Sequence, residues 1–202
     1  MAIFIVSDLL LGHSKDFIYG ARGFENVEDM NETIIRKWNE VVDEEDDVYV
    51  LGDLVMGSET NLQMLRRLKG RLHIVRGNHD TNTRWDFYQE LPNVVEAENS
   101  LYLRYDGYKF YLSHYPTITT RADTGKPLKK SLVNLCGHTH TKDPFQDWGI
   151  GMIYHCELDA HDCAPVRLED IITDLKQKTS DRAESELERF LRRHLRRSNY
   201  DT

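Results

Sequence analysis

Cysteine is scarce in this chain. Three occur in 202 residues, Cys136, Cys156 and Cys163, and none stands in a C-x-x-C pair. An odd, low count argues against a disulfide-stapled secreted scaffold and against a cysteine-built structural zinc site. It makes a reducing cytoplasm the expected location. Long apolar runs are missing too: no stretch approaches the roughly 18 residues that suggest a membrane span. The opening MAIFIVSD lacks a basic segment, and its apolar run is too short for a signal peptide. Positive charge is in deficit, with 26 Lys and Arg against 34 Asp and Glu, a net −8. Affinity for a phosphate backbone comes mostly from Lys and Arg, so this balance disfavours a long nucleic acid as partner. A small phosphate ester remains compatible with it. No internal repeat or low-complexity tract interrupts the chain.

What is present is the composition of a globular domain, 40% hydrophobic and 30% charged. Short apolar runs alternate with amphipathic stretches. Residues 2–6 read as a strand and 14–25 as a polar loop. In NVEDMNETIIRKWNEVV, the residues Met30, Ile34, Trp38 and Val41 share a helical face, and Asn26 is placed to cap it with Asp29 at the third position. DEEDD (43–47) reads as a solvated turn and VYVL (48–51) as a strand. Ser58 is placed to cap a helix lined by Leu62, Leu65 and Leu68, with Gly70 as its stop. LHIV (72–75) reads as a strand and WDFYQEL (85–91) as a short helix. LYLRYDGYKFYLSH reads as a hairpin turning at Asp106-Gly107. LVNLC (132–136) and IGMIYHCEL are further strands, 120–130 is a loop, and 166–178 is helical. The alternation predicts an α/β domain over 1–178 with a partly parallel sheet. From 179 to 202 an amphipathic tail carries Leu187, Phe190, Leu191 and Leu195, with acidic residues before basic ones. It suits a helix docked on its own domain, an oligomer contact, or a basic handle for an anionic partner.

The polar residues fall in a pattern. Asp8 follows the first strand and Asp53 follows VYVLG; Asn78 and His79 follow HIVRG, His114 follows KFYLS, and His138 and His140 follow VNLC. In an open α/β sheet, ligands bind in the crevice beyond the carboxyl ends of the strands. Gly52, Gly77 and Gly137 would let the backbone turn just before these groups. Carboxylate oxygen, amide oxygen and imidazole nitrogen together suit Mn, Fe, Zn or Co better than Ca or Mg. Each motif alone reads more readily as a turn or other structural feature; together, each at a strand end, they point to a divalent-metal site able to clamp a phosphoryl group.

The strings SD…GH, VLGD, RGNHD, LSHYP and GHTH, over about residues 2–175, resemble the calcineurin-like metallophosphoesterases, and in particular their small single-domain bacterial and bacteriophage branch. The resemblance implies a four-layer αββα sandwich, two facing mixed β-sheets flanked by helices. It implies one or two divalent transition metals, Mn2+ first among Fe, Zn, Ni and Co, and metal-dependent hydrolysis of a phosphate ester, most simply a diester. Carried over, Asp53 is the bridging ligand, with Asn78, His114 and His138 around the second metal and Asp8 and His140 at the first. His79 is the residue that protonates the leaving group or steadies the phosphate, and Asp80 orients its loop.

The chain departs from the pattern in its opening motif. Asp-x-His becomes Asp8-Leu9-Leu10, and leucine cannot coordinate a metal. Three states fit: a single strong site, a weakened first site, or a disarmed enzyme. His13, Arg22 and Tyr115 are candidate substrate contacts, Arg22 because guanidinium grips phosphate bidentately. The expected substrate is a small phosphodiester or nucleotide. The rival functions are a nucleotide- or metal-binding protein without turnover and a metal-dependent nuclease.

Overall fold

The computed structural model describes residues 1–181. The chain divides after Leu168, into a compact unit Met1–Leu168 and a second unit that begins at Glu169. Residues 168–181 are helical and pass position 178 without a break. The apolar stripe expected at 187–195 lies outside the described residues.

The first unit is built on two mixed sheets with flanking helices, the α/β arrangement expected. Strands β1 (Ile3–Val6), β2 (Asp47–Val50), β3 (Arg71–Val75) and β4 (Val94–Glu98) are parallel, and β9 (Val166–Arg167) runs antiparallel beside β1, in the order β4-β3-β2-β1-β9. The second sheet has the order β5-β6-β7-β8, from β5 (Leu101–Tyr105), β6 (Tyr108–Leu112), β7 (Val133–Cys136) and β8 (Ile153–His155). Here β5 and β6 form the expected hairpin. Asp106 and Gly107 have φ of 45° and 78°, the left-handed pair that matches strand twist. Strands β6, β7 and β8 are parallel.

Helix α1 (Asp16–Tyr19) is a single turn inside the stretch read as a loop. Helix α2 (Val27–Val41) starts as expected, with the Asn26 side chain accepting from the Asp29 amide. Met30, Ile34 and Trp38 are buried in the main apolar cluster, but Val41 is 43% exposed. Val42, four residues beyond Trp38, takes the buried position instead. Helix α3 (Asn82–Glu90) begins three residues before the expected start, under a Thr81 cap.

Three further readings are corrected. Residues Glu59–Arg67 form a 3-10 helix, and Ser58 makes no capping bond. Leu62, Leu65 and Leu68 recur every third residue, which suits the three-residue turn of a 3-10 helix. The acidic run 43–47 is not all solvated: Asp46 is buried and accepts from the amides of Ala2 (2.6 Å) and Asp43 (3.0 Å). Strand β4 was not expected, since VVEAE carries two charges and lies half-exposed at the sheet edge. Among the described residues, no helix is long and apolar enough to cross a membrane.

Candidate metal centre

The parallel strands of each sheet end on one edge, and side bonds join the two edges. The Ser7 amide donates to the Cys156 carbonyl (2.9 Å), and His114 Nδ1 lies 2.8 Å from the Leu51 carbonyl. Every strand-end residue of the expected set lies in this crevice or at its rim. Asp8, Asp53 and His114 each offer a ligand atom, all within 4.8 Å of one another, and all three are buried.

The atoms facing inward are acceptors. His114 gives its Nδ1–H to a carbonyl, so its Nε2 presents a lone pair. That nitrogen faces Asn78 Oδ1 at 2.7 Å and Asp53 Oδ2 at 3.5 Å. Acceptor against acceptor at such distances calls for positive charge between them or on them. Asp8 Oδ2 accepts from Ser7 Oγ (2.6 Å) and the His138 amide (2.8 Å), while its Oδ1, fully buried, has no hydrogen-bond partner among the described residues. Burial pushes the Asp8 carboxyl up to about 6. An orphaned buried oxygen beside an unshared imidazole lone pair fits a divalent cation with N and O ligands.

The backbone is bent to present these groups. Asp8, Leu10, Asp53, His138 and His140 all have φ between 52° and 80°, the left-handed region uncommon outside glycine. Each such residue stores on the order of 1–3 kcal/mol, sustained only where the surroundings over-determine it. The glycines act differently from the expectation. Gly52 does turn, at φ 96°, but Gly77 and Gly137 are not left-handed. They are needed because a Cβ would overlap the Asp53 carboxylate at Gly77, and Ser7 Oγ and the Asp8 carboxylate at Gly137. Gly137→Ala should therefore destabilise the fold by about 1–3 kcal/mol, as overpacking does. Denaturant unfolding measures this, and a loss below about 0.5 kcal/mol would mean the strand ends can separate freely.

The remaining expected residues are placed as follows. The His79 amide donates to Asp53 Oδ1 (2.8 Å), and its ring, half exposed, sits with Nε2 3.9 Å from Asp53 Oδ2. The His138 ring packs edge-on to His114 and Tyr115. Burial lowers the His138 pKa. His140 Nε2 is 3.8 Å from Asp8 Oδ1. Tyr115 is half exposed on the rim. His13 packs against Phe17, and burial lowers its pKa, helped by the charges of His79 and His140.

Two roles change. Asp80 is a positioning residue, with no free oxygen to offer a substrate: Oδ2 accepts from the amides of Gly77 (2.7 Å) and Asp53 (3.0 Å), and Oδ1 from the buried Tyr88 hydroxyl (2.9 Å). Arg22 is not a phosphate anchor. Its buried guanidinium pairs with Asp159 (2.8 Å) and donates to the carbonyls of Asp8 and Leu9. Asp159 in turn accepts from His140 Nδ1 at 3.2 Å, leaving Nε2 turned toward Asp8. That hydrogen bond raises the His140 pKa, while against its own burial Asp159 is held down to about 2 by His140 and Arg22. A carboxylate behind an imidazole fixes its tautomer and orientation. Asp159 was missed, although it follows β8 as the other site residues follow their strands.

The fold and this crevice define an α/β protein with a buried carboxylate–imidazole centre at the ends of two sheets. The model of the calcineurin-like phosphoesterase superfamily domain matches residues 1–156, and the chain belongs to that superfamily. An uncharacterized protein of Methanocaldococcus jannaschii is 38% identical over 117 residues, 56% of this chain and 58% of that protein. The chain thus matches less than two thirds of that relative's length. The gene 66 protein of Mycobacterium phage D29 is 27% identical over 200 residues, covering 87% of this chain and 98% of the phage protein. A protein of unknown function from Aquifex aeolicus superposes with a TM-score of 0.64 at 20% identity, over 85% of this chain and 98% of the other, and shares the fold.

Proposed function

We propose that the chain is a metal-dependent phosphodiesterase acting on a small diester or nucleotide-type substrate. The observation that carries the reading is the buried cluster of Asp8, Asp53 and His114, whose ligand atoms lie within 4.8 Å of one another, with Asp8 Oδ1 buried and without a hydrogen-bond partner among the described residues. Asp53, Asn78, His114 and His138 would hold one divalent cation, Mn2+ or a similar transition metal. Asp8 and His140 would hold a second more weakly, because Leu10 supplies no ligand. A cation bound there would polarise phosphoryl oxygens and acidify water.

The chain's own residues would do the rest. His79, tethered through its amide to Asp53 and half exposed at the rim, is placed to give a proton to the leaving oxygen. A diester suits the charge of the site better than a monoester. Arg22 is spent on Asp159, and Arg84 on the carbonyls of His79 and Gly57, so neither is spare to balance the second negative charge of a monoester. A cavity of about 180 Å³, lined by His13 with Gly12, Ser14, Lys15, Met56 and Gly57, would take one ester arm.

The test is hydrolysis of bis-p-nitrophenyl phosphate by purified chain with Mn, Co, Ni, Zn or Mg. Release dependent on metal, and faster than with p-nitrophenyl phosphate, is expected. No release with any metal, from protein shown to bind one, would overturn the reading in favour of a binding protein, the alternative that Leu10 favours. Lys15→Ala should raise KM for a nucleoside-bearing diester about fivefold, the size of one lost charged contact, and leave bis-p-nitrophenyl phosphate turnover unchanged. An equal change for both substrates would remove the cavity from the substrate path.

A further inference from the structure

Behind the GHTH turn lies a second set of buried charged groups that the chemistry above does not use. His155 and Glu157 are both fully buried. His155 Nδ1 faces Glu157 Oε1 at 3.0 Å, and its Nε2 faces Asp147 Oδ2 at 3.0 Å. With a carboxylate on each nitrogen, the ring donates on both sides as an imidazolium. Burial opposes that charge, but Glu157 and Asp147 outweigh it and raise the His155 pKa. The same Glu157 Oε1 accepts from Thr139 twice, from its amide (3.2 Å) and its hydroxyl (2.9 Å).

Thr139 stands between His138 and His140. Three successive residues are therefore each gripped by a different carboxylate: the His138 amide by Asp8, Thr139 by Glu157, and the His140 ring by Asp159. The turn needs such a grip. His138 and His140 have φ of 80° and 52°, so Thr139 is flanked by two strained, non-glycine residues. Glu157 is itself fixed, since its backbone bridges Ser7 and the Leu158 amide donates to the Ser7 carbonyl. Ser7 also donates its hydroxyl to Asp8. The path thus closes on itself, from Asp8 through His138, Thr139, Glu157 and Ser7 back to Asp8.

We infer that the Asp147–His155–Glu157 triad is a positioning device for the metal centre: by clamping Thr139 it sets His138 and His140 together against Asp8. The metal-binding consequence rests on the proposed function, whereas the clamping of the turn does not. An ordinary buried ion pair would hold only its own strand. This one holds a residue whose two neighbours are the site's imidazoles, so its loss reaches both at once. His155, held between Glu157 and Asp147, fixes Glu157 Oε1 where Thr139 donates to it twice.

Two readouts separate the positioning from the function. In metal-free protein, hydrogen exchange of the Thr139 and His138 amides should speed at least tenfold in Glu157→Ala, with the Gly77–His79 amides unchanged. Calorimetric Mn2+ titration should show binding weakened about 10- to 100-fold, the range for residues that orient metal ligands, and Glu157→Gln, which keeps an acceptor for Thr139, should recover part of the loss. Faster exchange at Thr139 alone, or Mn2+ affinity within twofold of the parent, would overturn the inference. If Glu157→Ala does not fold, Thr139→Val decides by the same measures: a threefold or greater loss of affinity with faster His138 exchange supports it, and parental values overturn it. If the parent chain binds no metal, the proposed function fails, and the exchange data alone decide the positioning role.

Discussion

Asp53→Asn should leave a folded chain whose affinity for a divalent cation falls at least 100-fold, while its metal-free form becomes more stable. The two effects have one cause. Asp53 and Asp8 are buried, with ligand oxygens within 4.8 Å of each other. Two carboxylate charges at that distance repel by about 3 kcal/mol at an effective dielectric near 20. The asparagine keeps the volume, and it keeps an oxygen to accept the His79 amide, as Asp53 Oδ1 does now. It gives up the charge that a cation needs and that a second buried carboxylate makes unfavourable. Calorimetric titration gives the affinity. Thermal melts with and without chelator give the stability, and the metal-induced rise in Tm of the parent should vanish in the variant. An unchanged affinity would place the cation elsewhere, and a metal-free form less stable than the parent would mean that Asp53 is a structural rather than a charge-storing group.

Leu10→His should raise the number of bound metals from one toward two per chain, and phosphodiester turnover about tenfold or more with it. Leu10 is buried yet has φ of 52°, a conformation that leucine does not choose. Its amide donates to the Asp53 carbonyl (3.0 Å), so the neighbouring segment imposes the bend. It also lies outside the apolar cluster that holds Leu9 and Leu11. The backbone is thus shaped as the other site residues are, with an apolar side chain on it. Without metal, the introduced imidazole should cost about 1–3 kcal/mol as a buried polar group, and metal should restore that stability. Calorimetric stoichiometry and the bis-p-nitrophenyl phosphate rate check this together. Two metals in the parent chain would show that Leu10 has not cost the centre a site.

The legible parts of this chain were those written in local pattern. The Asn26 cap, the Met30–Ile34–Trp38 stripe and the Asp106-Gly107 hairpin were read correctly because each depends on residues within a few positions of one another. The strand-end polar residues were legible because the chain repeats one device: an apolar run, then a ligand-type side chain. Strand β4 was missed because an edge strand need bury little, and Val41 was misplaced because the buried stripe continues from Trp38 by four residues, to Val42, and not by three. The polar string around Asp46 gave no sign that one carboxylate turns inward to hold the amides of Ala2 and Asp43.

The sequence by itself determined the class of side chains, their order, and their placement at strand ends. It could do so because period, turn chemistry and residue type are local properties. The tertiary structure decided what each polar group is joined to. Arg22, which by type is a phosphate anchor, is joined to Asp159, 137 positions away. Asp80 serves the backbone of Gly77 and Asp53, and Glu157 serves Thr139. A charged side chain takes its role from whichever partner the fold brings within about 3 Å, and that distance is set by strand order and packing rather than by neighbours in the chain.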